Sequence, residues 1–372
     1  MRLRKLAALI AGTLMGAVSF TGCARKNNER EDKQQDNTEV SGVNKEYAER
    51  RFLDQSAKAE KAEVIYLAGG CFWGTQAYFD RLPGVTETEA GYANGKEAET
   101  SYREVDRTGH AETVKIHYDP EVISLAELLD RYYLTIDPLS LNKQGNDRGT
   151  QYRTGIYYEE EDRFSKEVAE LSLALLNERL GKQSYIELLP IQNYVKAEDY
   201  HQDYLKKEPF GYCHIDLSLA ERALFPLPEK SSREELAEKL DPGAFDDGTE
   251  KPFSSPLNEE FRPGVYLDAA SGQVLFSSRD KFPSSSGWPS FSRGITTDAL
   301  RMDFSKEKAG GAEAEVRTGN GQAHLGHIFR RTQGESTFRY CINGAGLRFV
   351  PEDEMRAEGL ERFLPYLLKR GD

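Results

Sequence analysis

Residues Glu63–Leu82 read EVIYLAGGCFWGTQAYFDRL. The first six, Glu63–Ala68, form a short apolar run suited to a buried strand, and Gly69-Gly70 breaks it. From Cys71 to Leu82 the apolar residues fall at helical rather than alternating spacing. The stretch therefore predicts a strand, a tight glycine turn and a helix that opens at Cys71. A thiol at a helix N-terminus lies near unpaired N–H groups and the positive end of the dipole, which favours thiolate. A small core filler is the plainer role for a cysteine, but the Gly-Gly-Cys placement argues against it.

Towards the C-terminus, Glu112–Tyr118 (ETVKIHY) alternates with period two. Val114, Ile116 and Tyr118 share one face with Glu112, and Lys115 and His117 share the other. A carboxyl on a buried face is disfavoured as an anion, so its pKa is expected to rise and fit it for proton donation. The alternative is a solvated strand-end Glu. Ser124–Glu127 (SLAE) fits a capping box for a helix running towards Tyr133. Gly145–Arg153 is a polar, glycine-rich loop, Glu159–Leu180 a second long helix, and Gly211-Tyr212-Cys213 places another thiol on a turn.

Towards the N-terminus, residues 1–22 have the order of a signal peptide, with basic MRLRK followed by the apolar run Leu6–Phe20. They end in Phe20-Thr21-Gly22-Cys23, which resembles the lipobox of bacterial lipoproteins, with Phe20 where Leu is usual. An ordinary signal with an incidental Cys23 is the alternative. Residues 23–62 are charged and Asn/Gln-rich and read as a disordered tether. This start implies an exported, extracytoplasmic protein held at the membrane through lipidated Cys23.

At 372 residues the chain is long enough for two domains, and its formal net charge of -13 argues against nucleic-acid binding. Its four cysteines, Cys23, Cys71, Cys213 and Cys341, are isolated, without the pairs that a disulfide scaffold or zinc ribbon requires.

Beyond Leu224–Gly248, rich in Pro and charge with a helical stretch at Ser232–Leu240, short apolar runs alternate with Gly, Ser and Pro clusters, the pattern of a β-rich domain. In Thr337–Arg348 (TFRYCINGAGLR), Phe338, Tyr340 and Ile342 share one face and Arg339, Cys341 and Asn343 the other. Arg339 beside Cys341 is expected to lower the thiol pKa. His324 and His327 (AHLGH) could join that cysteine in proton handling or in a metal site, or be satisfied core histidines.

The motifs GCFWG (70–74), GHAE (109–112), GNDRGTQY (145–152) and GYC (211–213) resemble those of the A-type peptide methionine sulfoxide reductases. GWPSF (287–291), AHLGHIF (323–329) and RYCINGAGLRF (339–349) resemble the B-type enzymes. The first resemblance implies Cys71 as nucleophile, Phe72 and Trp73 as walls of the methyl pocket, and Glu112 as acid. Tyr102, Asp147 and Tyr152 would hold the sulfoxide oxygen, and Cys213 would recycle the nucleophile. The second implies Cys341 as nucleophile, Trp288 and Phe329 at the substrate, and His324, His327, Arg339 and Asn343 managing protons and thiolate. S-epimer reduction is expected at Cys71 and R-epimer reduction at Cys341, through sulfenic acids, in the repair of oxidised proteins. No bound cofactor is expected; electrons would come from thioredoxin or a similar dithiol donor.

Two departures from the B-type pattern matter. Thr318–Gly321 replaces one of the CxxC pairs that hold zinc in many relatives, so no structural zinc is expected. Ser284–Ser286 occupies the place where some relatives keep a recycling cysteine, with Ser286 the nearest match.

The expected fold is an α/β first domain (63–217), a mixed sheet with flanking helices, then a linker (218–228) and a mainly antiparallel β domain (229–372). A thiol peroxidase would share the isolated thiols, but not a tryptophan beside each site; Trp73 and Trp288 are the only two. A non-catalytic surface module would suit the tether and the lipid signal.

Overall fold

The computed structural model describes residues 52–54, 56–230, 232, 248–305, 309–331 and 336–371. Cys23, with the whole signal and lipobox reading, lies outside them, as does nearly all of the helical stretch expected at Ser232–Leu240.

The first half is built on six strands: β1 (Glu63–Gly69), β2 (Val85–Ala93), β3 (Ala111–Tyr118), β4 (Thr154–Tyr158), β5 (Glu187–Pro190) and β6 (Val195–Lys196). Their order is β5-β4-β1-β3-β2-β6. Only β4 and β5 run parallel, so the sheet is mixed as expected. Ile65, Leu67, Val114, Ile116 and Ile156 point to one face, where they pack under α1 (Phe72–Phe79), α2 (Leu125–Thr135) and α3 (Arg163–Leu180). Tyr66, Ala68, Ala111 and Tyr157 form a smaller cluster on the other face.

Gly70 turns β1 into α1 with φ +84°, and a Cβ there would meet Gln144 Cβ at 2.6 Å. The helix begins one residue after Cys71 and stops at Phe79, short of Leu82. Ser124 caps α2 by accepting from the Glu127 amide at 3.1 Å. The reciprocal half of the capping box is missing, because the Glu127 side chain is committed elsewhere. The helix expected from Glu159 begins at Arg163, capped by Asp162; Asp162 accepts the Ser165 N–H and so fixes the start.

Among the described residues of the second half, every strand pair is antiparallel. β7 (Gly264–Asp268), β8 (Val274–Ser277) and β14 (Leu347–Pro351) form a three-stranded sheet. A five-stranded sheet runs β9 (Ser290–Phe291), β13 (Phe338–Ile342), β12 (His324–Arg330), β11 (Ala314–Thr318) and β10 (Leu300–Asp303).

The two halves share a polar seam. Glu127, fully buried, accepts from Thr297 N at 3.0 Å and Thr297 Oγ1 at 2.6 Å, and pairs with Arg131. Arg131 reaches across to Asp298 at 3.3 Å, and Tyr366 donates to Asp130 at 2.9 Å. Arg370 forks onto Glu63 and Asp162. Removing one partner of such a buried pair typically costs about 3–5 kcal/mol, because the other charge is left uncompensated. Between the halves, Ala220 and Leu224 are buried, and Phe225 packs edge-on against Phe363.

Candidate active sites

At the first site, Cys71 is 7 % exposed at the mouth of α1. The N–H groups of Trp73 and Gly74 reach its sulfur and pull its pKa down, as the helix-start argument requires. Burial, with Glu112 and Asp147 nearby, pushes harder the other way, and the thiol titrates well above its usual range. Burial in the free site therefore works against the thiolate that the helix start favours. Helix geometry alone omitted the desolvation of the sulfur.

Glu112 sits on the buried face of β3, as the alternation predicted, at 2 % exposure. Its Oε2 accepts the Phe72 N–H at 3.0 Å. Burial raises its pKa to about 8, against the downward pull of that hydrogen bond. Glu112 is thus a protonated acid at neutral pH, next to the residue that follows the thiol. The hydroxyls of Tyr102 and Tyr152 are raised by burial and by Glu112, Asp147 and Cys71, which places all five groups in one field. Asp147 Oδ2 is buried without a hydrogen-bond partner.

Trp73 stacks on Tyr204 with ring centroids 3.8 Å apart, and its indole N–H donates to His201 Nδ1 at 3.0 Å. His201, 1 % exposed, also packs on Phe72 and Tyr102. Glu198 accepts from the Tyr102 N–H and the Tyr92 hydroxyl. The sequence reading missed His201, Tyr204 and Glu198. Their signal, the run Glu198–Tyr204 (EDYHQDY), has neither strand nor helix periodicity.

The Cys213 segment lies over this turn. His214 Nε2 is 3.1 Å from the Gly69 carbonyl, and a Cβ on Gly74 would meet Cys213 Sγ at 2.9 Å. Glycine at 74 therefore lets the second thiol approach the first turn of the helix that Cys71 caps. Cys71, Cys213 and Cys341 are all free thiols.

At the second site, β13 alternates as expected: Phe338, Tyr340 and Ile342 are buried, and Arg339 and Cys341 less so. Cys341 is paired in register with His327 on β12 and with Ser290 on β9. Arg339 lies opposite Phe329 and over its ring, 4.6 Å from the centroid. Ser286 Oγ is 3.8 Å from Cys341 Sγ. Burial raises the thiol pKa and sets the net direction, while Ser286 and Arg339 pull it down, Arg339 as the sequence led us to expect.

His324 is buried, with Nδ1 2.8 Å from Glu315, and its ring stands edge-on to His327. Asn343 follows the strand and donates to the Gly248 carbonyl at 3.0 Å, while Trp288 Nε1 donates to the Glu250 carbonyl. Glu250, another residue the sequence reading missed, accepts the Gly344 and Ala345 N–H groups and so ties this corner together. Thr318 and Asn320 bond each other, and Asn320 donates to the Pro228 carbonyl. Among the described residues, no group of three or more His, Cys, Asp or Glu side chains is placed to hold a metal ion.

The family model described as peptide methionine sulfoxide reductase matches residues 63–230, and the SelR domain model matches residues 244–351. Mxr1 from Saccharomyces cerevisiae in its reduced form is 37% identical over 42% of this chain and 92% of its own, with a TM-score of 0.39. Methionine sulfoxide reductase A of Corynebacterium diphtheriae is 37% identical over 41% and 78%, with a TM-score of 0.37.

Proposed function

Because this chain belongs to the peptide methionine sulfoxide reductases and carries an A-type domain followed by a SelR domain, reducing both epimers of methionine sulfoxide, we propose that Cys71 attacks the S epimer and Cys341 the R epimer. The observation that carries the first assignment is the buried acid Glu112, hydrogen-bonded to the amide that follows a buried helix-start thiol.

The sulfur of Cys71 attacks the sulfoxide sulfur while Glu112 protonates the sulfoxide oxygen, held by Tyr102, Asp147 and Tyr152. The thiol proton also passes to that oxygen, the S–O bond breaks, and water departs from a Cys71–methionine sulfonium. A water then attacks the Cys71 sulfur and gives its proton back to Glu112. The S–S bond breaks, methionine leaves, and Cys71 becomes a sulfenic acid. Phe72 and Trp73 wall the methyl group, and the Cys213 thiol condenses with the sulfenic acid to a disulfide with loss of water. At Cys341 the analogous chemistry uses His324, His327, Arg339 and Asn343, with Trp288 and Phe329 at the substrate. The Cys341 sulfenic acid has no thiol in its own domain and is reduced directly by an external thioredoxin-like dithiol. Neither site needs a bound cofactor or zinc.

Cys71→Ser is expected to abolish S-epimer turnover and leave R-epimer turnover intact, and Cys341→Ser to do the reverse, measured on the separated epimers. Loss of both activities in either folded variant would refute the two-site assignment.

The signal-like start and Cys23 support export and lipid anchoring. Mass spectrometry of the mature chain is expected to find lipidated Cys23 as its first residue; an unmodified Cys23 would reduce the segment to an ordinary signal.

A further inference from the structure

The chain carries a formal net charge of -13, yet one cleft at the seam of the two halves concentrates cations. It holds about 660 Å³, the size of a small-molecule site, and is lined by Arg279, Lys281, Arg293, Arg331 and Lys369. Arg293 is 4 % exposed; it engages Asp280 through Nε and Nη2, and its Nη1 is buried with no partner. An unpaired buried donor on a guanidinium is costly, and natural structures seldom leave one without a partner from protein, water or ligand.

The neighbouring cations are not ion-paired, although Glu259 and Glu260 lie in the field of Lys281, and Asp280 and Glu63 in that of Arg279. Arg279 lies over the Phe164 ring, and burial with Arg293 alongside pushes its pKa down. Lys281, 6 % exposed, donates to the Asn258 carbonyl and lies over Phe261. Arg331 donates to Ser336 and lies over Phe282. Among the described residues, none of Arg279, Lys281, Arg331 and Lys369 makes an ion pair.

Among the described residues three carboxylates share the lining, and each is already committed. Glu63 is held by Arg370 and the Tyr118 hydroxyl, Glu121 by Lys61 and Thr337, and Asp280 by Arg293. The cleft therefore retains an excess of positive charge in walls fixed by both halves. Guanidinium forks and ammonium groups together match the oxygens of phosphate and carboxylate groups.

We propose that this cleft is a binding site for a small polyvalent oxyanion of the phosphate or polycarboxylate class, separate from both thiol centres. Arg279, Arg293 and Arg331 supply donors to its oxygens, and Lys281 and Lys369 supply charge. No step of the sulfoxide chemistry depends on it.

The test is calorimetric titration of the full chain with inorganic pyrophosphate, and separately with citrate, at an ionic strength held constant with sodium chloride. Wild type is expected to show saturable one-site binding of at least one of the two. The double variant Arg331→Gln, Lys369→Gln is expected to weaken that binding by at least about tenfold, the loss of roughly one charge-assisted contact. Both substitutions lie away from the thiols, so unchanged S-epimer turnover shows that the variant is folded. Thermal unfolding gives a second reading: the ligand should raise the wild-type Tm and raise that of the double variant less. Equal binding by both proteins overturns the proposal. So does the absence of saturable binding by either anion, including the case where only an acidic peptide such as oligoglutamate binds.

Discussion

Replacing Glu112 by Gln keeps the shape of the side chain and an oxygen to accept the Phe72 N–H, but removes the ionisable proton. In the folded protein this carboxyl titrates at about 8, against 4.5 when exposed. Below pH 4.5 it is protonated in both states, and the fold has its full stability from this source. Between 4.5 and 8 the folded protein keeps a proton that the unfolded chain has released, so stability falls as pH rises through that window. At pH 7 the accumulated loss is about 3 kcal/mol, from 2.5 units at about 1.36 kcal/mol each. Glu112→Gln should escape that loss, unfolding at a higher temperature than wild type at pH 7 and nearly the same one at pH 4. Its S-epimer turnover should fall by about 10²–10⁴-fold, the usual worth of a positioned proton donor. Wild-type turnover should decline as pH passes 8, and the residual rate of the variant should not show that limb. Thermal melts at several pH values and S-epimer pH–rate profiles measure both effects. A variant that matches wild type in rate, or that shows the same pH dependence of stability, would refute the reasoning.

Two further outcomes follow from single distances. Ser286 Oγ lies 3.8 Å from Cys341 Sγ, so Ser286→Cys should form a disulfide with Cys341 after one R-epimer turnover without reductant, seen as the loss of two titratable thiols. His201→Phe removes the acceptor that holds the Trp73 indole; S-epimer KM should rise several-fold, since one such bond is worth about 1 kcal/mol, with R-epimer kinetics unchanged, and an unaltered KM would remove His201 from pocket positioning.

The strand–glycine–helix reading of Glu63–Leu82 and the two-fold alternation at Glu112 and Cys341 were legible because each rests on local periodicity. The burial of Glu112 followed from its face alone. The pull of helix N–H groups on Cys71 and of Arg339 on Cys341 was legible too, while the desolvation that opposes it depends on what the rest of the chain places on top. Glu127 shows a similar limit. Its spacing from Ser124 announced a capping box, but Thr297 and Arg131 claimed its carboxylate, and Thr297 is too distant in sequence for any local pattern to reveal. His201 and Glu250 escaped because they act from irregular segments.

The Arg370 fork of the polar seam grips the first half at the Glu63 end of β1, whereas Cys71 follows its other end, about 20 Å away by strand rise over seven residues. Cys213 stays beside Gly74 at that far end. Glu127, Arg131 and Asp298 join the two halves by direct polar contacts. If each thiol is reduced on its own, as proposed, electrons enter the chain through two separate doors. Repair of the two epimers then runs in parallel, and a burst of one substrate drains the other reaction only by depleting the reductant in solution.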